Sequence, residues 1–187
     1  RKYDISLFLD FARIYGGISQ KTNVDLPEEA EGTLHDPEWK KKFVGYDWFE
    51  GDSMNLGIGQ GYLAVTPIQM LQVYANIASE GKTPLPHFFL KTKGKKSFSP
   101  SFIKPKKENI PSKFYQFIHE SLYRVTQPGG TAPLLQNTKV DIAAKTGTAE
   151  DVPDIHGKPT QDLWLAGFAP YQKPEIAVLV MFEKSSL

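Results

Sequence analysis

The stretch Ala143-Ala144-Lys145-Thr146-Gly147-Thr148-Ala149-Glu150 decides how the chain is read. Its small and β-branched residues predict a strand, and in a strand successive side chains alternate between faces. Thr146 and Thr148 then share one face, their hydroxyls in a row, while Lys145 points the other way. Gly147 between the threonines leaves space where another backbone can approach. A strand edge with two hydroxyl donors, free N–H groups and a nearby ammonium is a receptor for an extended peptide ending in a carboxylate. The same residues also fit an ordinary edge strand with a solubilising lysine.

Outward from this stretch, the strand pattern covers residues 140–149, and two similar runs follow at 162–169 and 175–182, separated by turns containing Pro, Gly or Asp. Residues 169–174 are short enough to close a hairpin between the last two. Three helices precede them. Ile5, Phe8, Leu9 and Ala12 repeat at helical spacing between a cap at Asp4 and a stop at Gly16 and Gly17. Thr66, Pro67 and Gln69 supply an N-cap, a proline at the first helical position and a capping-box partner, for a helix running to about Ser79 and ended by Gly81. Ile68, Met70, Leu71, Val73, Tyr74, Ala75, Ile77 and Ala78 make it apolar on nearly every face, which predicts a central, buried helix. The third starts near Ser112 and is expected to bury Phe114, Phe117, Ile118, Leu122 and Val125 before Pro128, Gly129 and Gly130 end it. Helices first and strands afterwards predict an α+β fold, helices packed on an antiparallel sheet, with no internal repeat.

Composition narrows the function. The 187 residues are 40% apolar and 23% charged, which excludes collagen, coiled coil and wholesale disorder. Twenty-two Lys and Arg against 21 Asp and Glu give a net charge of +1, so charge balance gives no reason to expect a nucleic-acid partner. Eight lysines and no acidic residue lie between Lys82 and Lys107, with Pro84, Pro86, Pro100 and Pro105. That stretch predicts an extended excursion with a short apolar strand at 87–90, either solvated or facing an anionic surface such as lipid head groups or cell-wall polymer. It offers no arginine for base edges. Without cysteine there is no disulfide, thiolate nucleophile or Cys-ligated zinc. His35, His87, His119 and His156 show no ligand spacing, so no metal and no cofactor is expected. Gly57, Gly59 and Gly61 lack the strand and the Lys-Ser/Thr of a phosphate loop, and are expected to supply positive φ or close backbone approach. The longest apolar run, 176–182, is seven residues, against roughly 20 for a bilayer-spanning helix.

Lys145-Thr146-Gly147 resembles the Lys-Thr-Gly element of the penicillin-recognising serine enzymes, whose other elements are Ser-x-x-Lys and Ser-x-Asn. The wider context resembles the elongation-type class B penicillin-binding proteins, the penicillin-binding protein 2 group of peptidoglycan transpeptidases. The matching blocks are Pro37-Glu38-Trp39-Lys40-Lys41-Lys42, Gly51-Asp52-Ser53-Met54-Asn55-Leu56-Gly57-Ile58-Gly59-Gln60-Gly61-Tyr62, Val65-Thr66-Pro67-Ile68-Gln69-Met70, Pro128-Gly129-Gly130-Thr131-Ala132 and Trp164-Leu165-Ala166-Gly167-Phe168-Ala169-Pro170. The resemblance implies the penicillin-binding protein/serine β-lactamase-like fold. It also implies that residues 1–187 are the C-terminal portion of one transpeptidase domain, with the nucleophile and a membrane anchor upstream of Arg1. Three local matches compete for the missing elements: Ser79-Glu80-Gly81-Lys82 and Ser101-Phe102-Ile103-Lys104 for Ser-x-x-Lys, and Ser53-Met54-Asn55 for Ser-x-Asn. A nucleophile belongs at a helix N-terminus, where N–H groups favour developing negative charge, whereas Ser79 is at the wrong end of its helix and Ser101 lies in the Lys/Pro stretch. No Ser-x-x-Lys precedes Ser53, whose block by the resemblance is not the catalytic Ser-x-Asn.

By the same resemblance, a serine attacks the penultimate D-Ala carbonyl of a stem peptide, and the acyl group then passes to an amine of a neighbouring strand. Lys145 is implied to hold the Ser-x-Asn serine and supply positive potential, and Thr146 and Thr148 to bind the terminal carboxylate. Gly147 lies between them, and the Thr148 N–H contributes to an oxyanion hole. Trp164 is expected to pack on the neighbouring strand. Implied partners are peptidoglycan stem peptides, β-lactam antibiotics and proteins of the cell-wall elongation machinery, at the extracytoplasmic face of a bacterial inner membrane, with membrane contact only through the upstream anchor. The competing readings are a D-Ala-D-Ala carboxypeptidase or serine β-lactamase, and a non-enzymatic β-lactam-sensing or scaffold domain.

Overall fold

A computed structural model describes residues 5–82, 84–89, 110–137 and 139–185. These divide into two compact units. The first holds the residues up to Gln69 together with 86–89, and the second holds 70–85 and the residues from 110 onward.

The first unit contains α1 (Ile5–Gly16), β1 (Thr33–Leu34), α2 (Pro37–Phe43), α3 (Glu50–Gly57), β2 (Leu63–Ala64) and the start of α4 (Pro67–Ala78). α1 ends at Gly16 as expected and Leu9 is its buried residue; the cap expected at Asp4 lies outside the described residues. Asp36 caps α2 by accepting the Trp39 N–H at 2.8 Å. The box expected at the start of α4 is present: the Thr66 N–H donates to Gln69 Oε1 at 2.9 Å, and the Gln69 N–H reaches Thr66 Oγ1 at 3.3 Å. Gln69 Nε2 also donates to the carbonyls of Gln20 and Glu31, both at 2.7 Å. A fully enclosed amide thus ties two loops to the helix start. Gly32 makes room for it: at φ +62°, a Cβ there would stand 2.8 Å from Gln69 Oε1 and 2.5 Å from the Ala64 carbonyl oxygen.

α4 departs from the sequence expectation. None of its apolar residues is buried; Gln69 and Gln72 are. The amides take this place because each has carbonyl acceptors in range, Gln72 Nε2 reaching the Pro84 oxygen at 3.3 Å. The expected strand at 87–90 is also absent over its described part. There the Phe88 and Phe89 N–H groups donate to the Asp25 carboxylate at 2.6 and 2.7 Å, a side-chain clamp instead of a ladder. Leu90 and most of the lysine-rich stretch lie outside the described residues.

The second unit carries the rest of α4, α5 (Ser112–Val125), a short 3₁₀ turn (Pro133–Asn137), β3 (Ala143–Asp151), β4 (Thr160–Ala169) and β5 (Ile176–Ser185). The strands form one antiparallel sheet in the order β3-β4-β5. The expected hairpin joins β4 to β5, closed by the Glu175 N–H on the Ala169 carbonyl at 2.9 Å. β3 starts three residues later than the pattern suggests. The carbonyls just before it are occupied elsewhere, Ile142 O by the Thr126 hydroxyl at 2.9 Å and Asp141 O by the Tyr171 N–H at 2.8 Å.

On α5 the expected apolar set is displaced. Phe114 and Phe117 are 51% and 70% exposed, and Tyr115 and His119 are buried instead. Residues four apart share a helix face, and the 115/119 face is the one that meets the sheet, His119 lying against the Phe168 ring with centroids 4.8 Å apart. His119 Nε2 donates to the Ile77 carbonyl at 2.8 Å, so this histidine is a satisfied core group. The unit's most enclosed apolar residues are Ala143 and Ala144 on β3 and Ala166 and Phe168 on β4, with Ala143 directly opposite Phe168. Gly167 opposite Ala144 has no space for a side chain: a Cβ would stand 2.4 Å from the Ala143 carbonyl oxygen and 2.8 Å from Ala144 Cβ.

Candidate active site

The Lys-Thr-Gly stretch lies on β3, which among the described residues pairs only with β4 and is an edge of the sheet. The register sets Lys145 against Ala166, Thr146 against Leu165, Gly147 against Trp164 and Thr148 against Leu163. Opposed residues share a face, so Lys145, Gly147 and Trp164 lie on one side and Thr146, Thr148, Leu163 and Leu165 on the other. Lys145 is exposed, and its Nζ donates to the Thr146 carbonyl at 2.6 Å. Thr148 is exposed and Thr146 half-buried. A Cβ on Gly147 would stand 3.3 Å from Trp164 Cβ, so the close neighbour of this glycine is the half-buried indole residue on β4.

Thr131 joins the site without having been given a role from sequence. Its Oγ1 lies 2.9 Å from Thr146 Oγ1. It was visible only as part of the Pro128–Ala132 block; the signal was the glycine pair before it. Gly129 has φ +85°, and a Cβ on Gly130 would stand 2.2 Å from the Val125 carbonyl oxygen, so the chain must turn sharply back at the end of α5.

A second polar cluster lies in the first unit. Lys40 and Asp52, from two of the blocks above, form an ion pair at 2.6 Å with side chains only 6% and 16% exposed. Asp52 also accepts the Phe49 N–H at 2.7 Å, and Lys40 Nζ sits 4.7 Å from the Phe49 ring centroid and 5.6 Å from that of Tyr62. Burial pushes the Asp52 carboxyl up, but the Lys40 hydrogen bond, the Phe49 N–H and the Lys40 charge outweigh it and hold it below 3.8. Lys40 anchors α2 to α3, a structural job that its run of three lysines did not disclose.

The competing serines are placed as ordinary structure. Ser79 ends α4, its hydroxyl donating to the Ala75 carbonyl at 2.7 Å. Ser53 sits inside α3 and accepts Trp48 Nε1–H at 2.8 Å. Ser101 lies outside the described residues. Gly59 and Gly61 take φ of +81° and +76°, as expected, whereas Gly57 is the last residue of α3 and has neither positive φ nor a close neighbour. His35 stacks on Trp39 with centroids 3.5 Å apart. Among the described residues no group of three or more His, Asp or Glu is placed to hold a metal, and no helix is long and apolar enough to cross a membrane.

The chain is similar to several known proteins. The peptidoglycan D,D-transpeptidase MrdA of Acinetobacter baumannii is 34% identical over 179 residues, covering 89% of this chain and 26% of that protein. MrdA of Escherichia coli K12 is 31% identical over 181 residues, covering 89% of the chain and 29% of that protein. This chain therefore spans between a quarter and a third of the length of these relatives. Among solved structures, PBP2 of Pseudomonas aeruginosa in complex with WCK 5153 superposes with a TM-score of 0.79 at 30% identity, over 98% of this chain and 40% of the other. The complex between PBP2 and MreC from Helicobacter pylori matches with a TM-score of 0.80 at 31% identity, over 99% of this chain and 33% of the other. Residues 15–186 match the family described as the penicillin binding protein transpeptidase domain, and with β3 carrying Lys-Thr-Gly on a sheet edge, the chain belongs to that family.

Proposed function

We propose that this chain is the C-terminal portion of the transpeptidase domain of a peptidoglycan D,D-transpeptidase, working in cell-wall elongation and open to β-lactams. The observation that carries the proposal is the paired hydroxyl face of Thr146 and Thr148 on an edge strand, with Lys145 beside it. An extended stem peptide lies along such an edge, its terminal carboxylate accepting from the two threonine hydroxyls. Gly147 faces Trp164 on the side of the strand away from the two hydroxyls. Lys145 supplies the positive potential that holds the carboxylate and the attacking serine's surroundings, and the Thr148 N–H donates to the developing oxyanion. The serine belongs to sequence upstream of this chain. Losing its proton, it attacks the penultimate D-Ala carbonyl, the last D-Ala leaves as an amine that takes up a proton, and a second amine then breaks the ester to take the acyl group, its own proton regenerating the serine hydroxyl.

The relatives support the surroundings of this reading. The MreC complex of the Helicobacter pylori protein supports an elongation-machinery partner, and the named D,D-transpeptidases support an extracytoplasmic place at the inner membrane.

The test is acylation of the full-length protein by a labelled penicillin. Lys145→Ala and Thr148→Val are expected to slow it about 10- to 100-fold, the worth of one hydrogen bond to a charged group. Near-normal rates in both variants refute the assigned roles. The 187-residue chain alone is expected to form no adduct; stoichiometric labelling of it overturns the upstream placement of the nucleophile.

A further inference from the structure

We infer that Thr131 is a positioning residue for carboxylate recognition, acting through the hydroxyl of Thr146; this rests on the proposed role of Thr146. The two oxygens are 2.9 Å apart, within the range of an O–H···O bond. Each hydroxyl has one proton to give. When an anion accepts the proton of Thr146, the bond between the threonines can run only from Thr131 to Thr146. The result is a chain, Thr131 to Thr146 to carboxylate, in which each bond polarises the next. It also selects one rotamer of Thr146, a β-branched side chain stiff about χ1, before ligand arrives.

Thr131 is suited to this because its backbone is fixed on both sides. The Gly130 N–H donates to the Gln127 carbonyl at 2.9 Å and the Ala132 N–H to the Val125 carbonyl at 2.9 Å. Gly130 is packed against the last turn of α5 with no space for a Cβ. The Thr126 hydroxyl fastens that same turn to the Ile142 carbonyl at 2.9 Å, one residue before β3 begins. The loop and the strand are therefore held in register by contacts independent of the two threonine hydroxyls, and removing the Thr131 hydroxyl leaves the scaffold in place.

The experiment is acylation kinetics of the full-length protein with a penicillin as its free acid and as its methyl ester. Thr131→Val is expected to lower the second-order acylation rate for the acid about three- to tenfold and the ester less than twofold. Thr131→Ser, which keeps the donor, is expected within twofold of the native rate. Thr146→Val is expected to lower the acid rate, and Thr131→Val/Thr146→Val no further. Equal losses for acid and ester, failure of serine to rescue, or additive losses in the double variant overturn the inference. If Thr146→Val slows the acid while Thr131→Val does not, the inference fails and the reading of Thr146 stands. If neither variant slows it, both fail.

Discussion

Lys40→Met removes the cation that Asp52 faces in a site where the two side chains are 6% and 16% exposed. Taking one partner from a buried ion pair typically costs about 3–5 kcal/mol, because the remaining charge is left without compensation. Asp52 keeps the Phe49 N–H at 2.7 Å and some access to water, which places the expected cost at the lower end, about 3 kcal/mol. Methionine fills the volume of the lysine stem, so little of this is cavity. The pair joins α2 to α3, and the loss is best read locally, by hydrogen–deuterium exchange of peptides spanning 36–57 in the full-length protein. About 3 kcal/mol corresponds to exchange faster by roughly 150-fold. Lys40→Met/Asp52→Asn removes both charges while retaining an acceptor for Phe49, and is expected to recover at least about 1 kcal/mol of that loss. Acid gives the same answer by another route. The folded carboxyl lies below 3.8, so it binds its proton less tightly folded than unfolded. Its contribution is complete above the ordinary carboxylate range and is lost as pH falls through the folded value, with no change expected between neutral pH and about pH 5. Exchange altered less than fivefold by Lys40→Met, or strictly additive effects in the double variant, refutes the account of a coupled, buried pair.

Two stability predictions test the packing. Gly167→Ala forces a Cβ to within 2.4 Å of a carbonyl oxygen on the adjoining strand, whereas Gly147→Ala meets its nearest atom at 3.3 Å. The first is expected to cost about 2–3 kcal/mol and the second less than about 1, seen as a clear separation of thermal midpoints; equal midpoints refute the register. Gln69→Leu leaves the Thr66 N–H and the Gln20 and Glu31 carbonyls without the amide that now serves them. Leaving these groups unpaired is expected to cost about 3 kcal/mol or more, read as faster exchange across 20–32 and 66–72, and unchanged protection there refutes the role.

What could be read from the sequence is what local rules determine. The Thr66 and Gln69 box, the end of α1 at Gly16, the β4–β5 hairpin and the alternation of Lys145 with Thr146 each depend on residues a few positions apart, and each is present. Where reading fell short, the deciding partner is distant in sequence. Nothing near Gln69 announces the carbonyls of Gln20 and Glu31, 49 and 38 positions away, that let an amide take the most enclosed place on α4. Phe114 and Phe117 look like the core of α5 until β3 and β4 select the 115/119 face, where His119 finds both a carbonyl and the Phe168 ring. Lys40 stands in a run of three lysines, and nothing beside it announces Asp52 on the next helix. The same division runs through the site. The three residues of the motif lie consecutively on one strand and carry their alternation with them, while Thr131 reaches Thr146 across 15 positions and only through a turn built on two glycines. The chemistry of the strand is therefore local, and its preorganisation is tertiary, which is why substitutions at Thr131 separate the two.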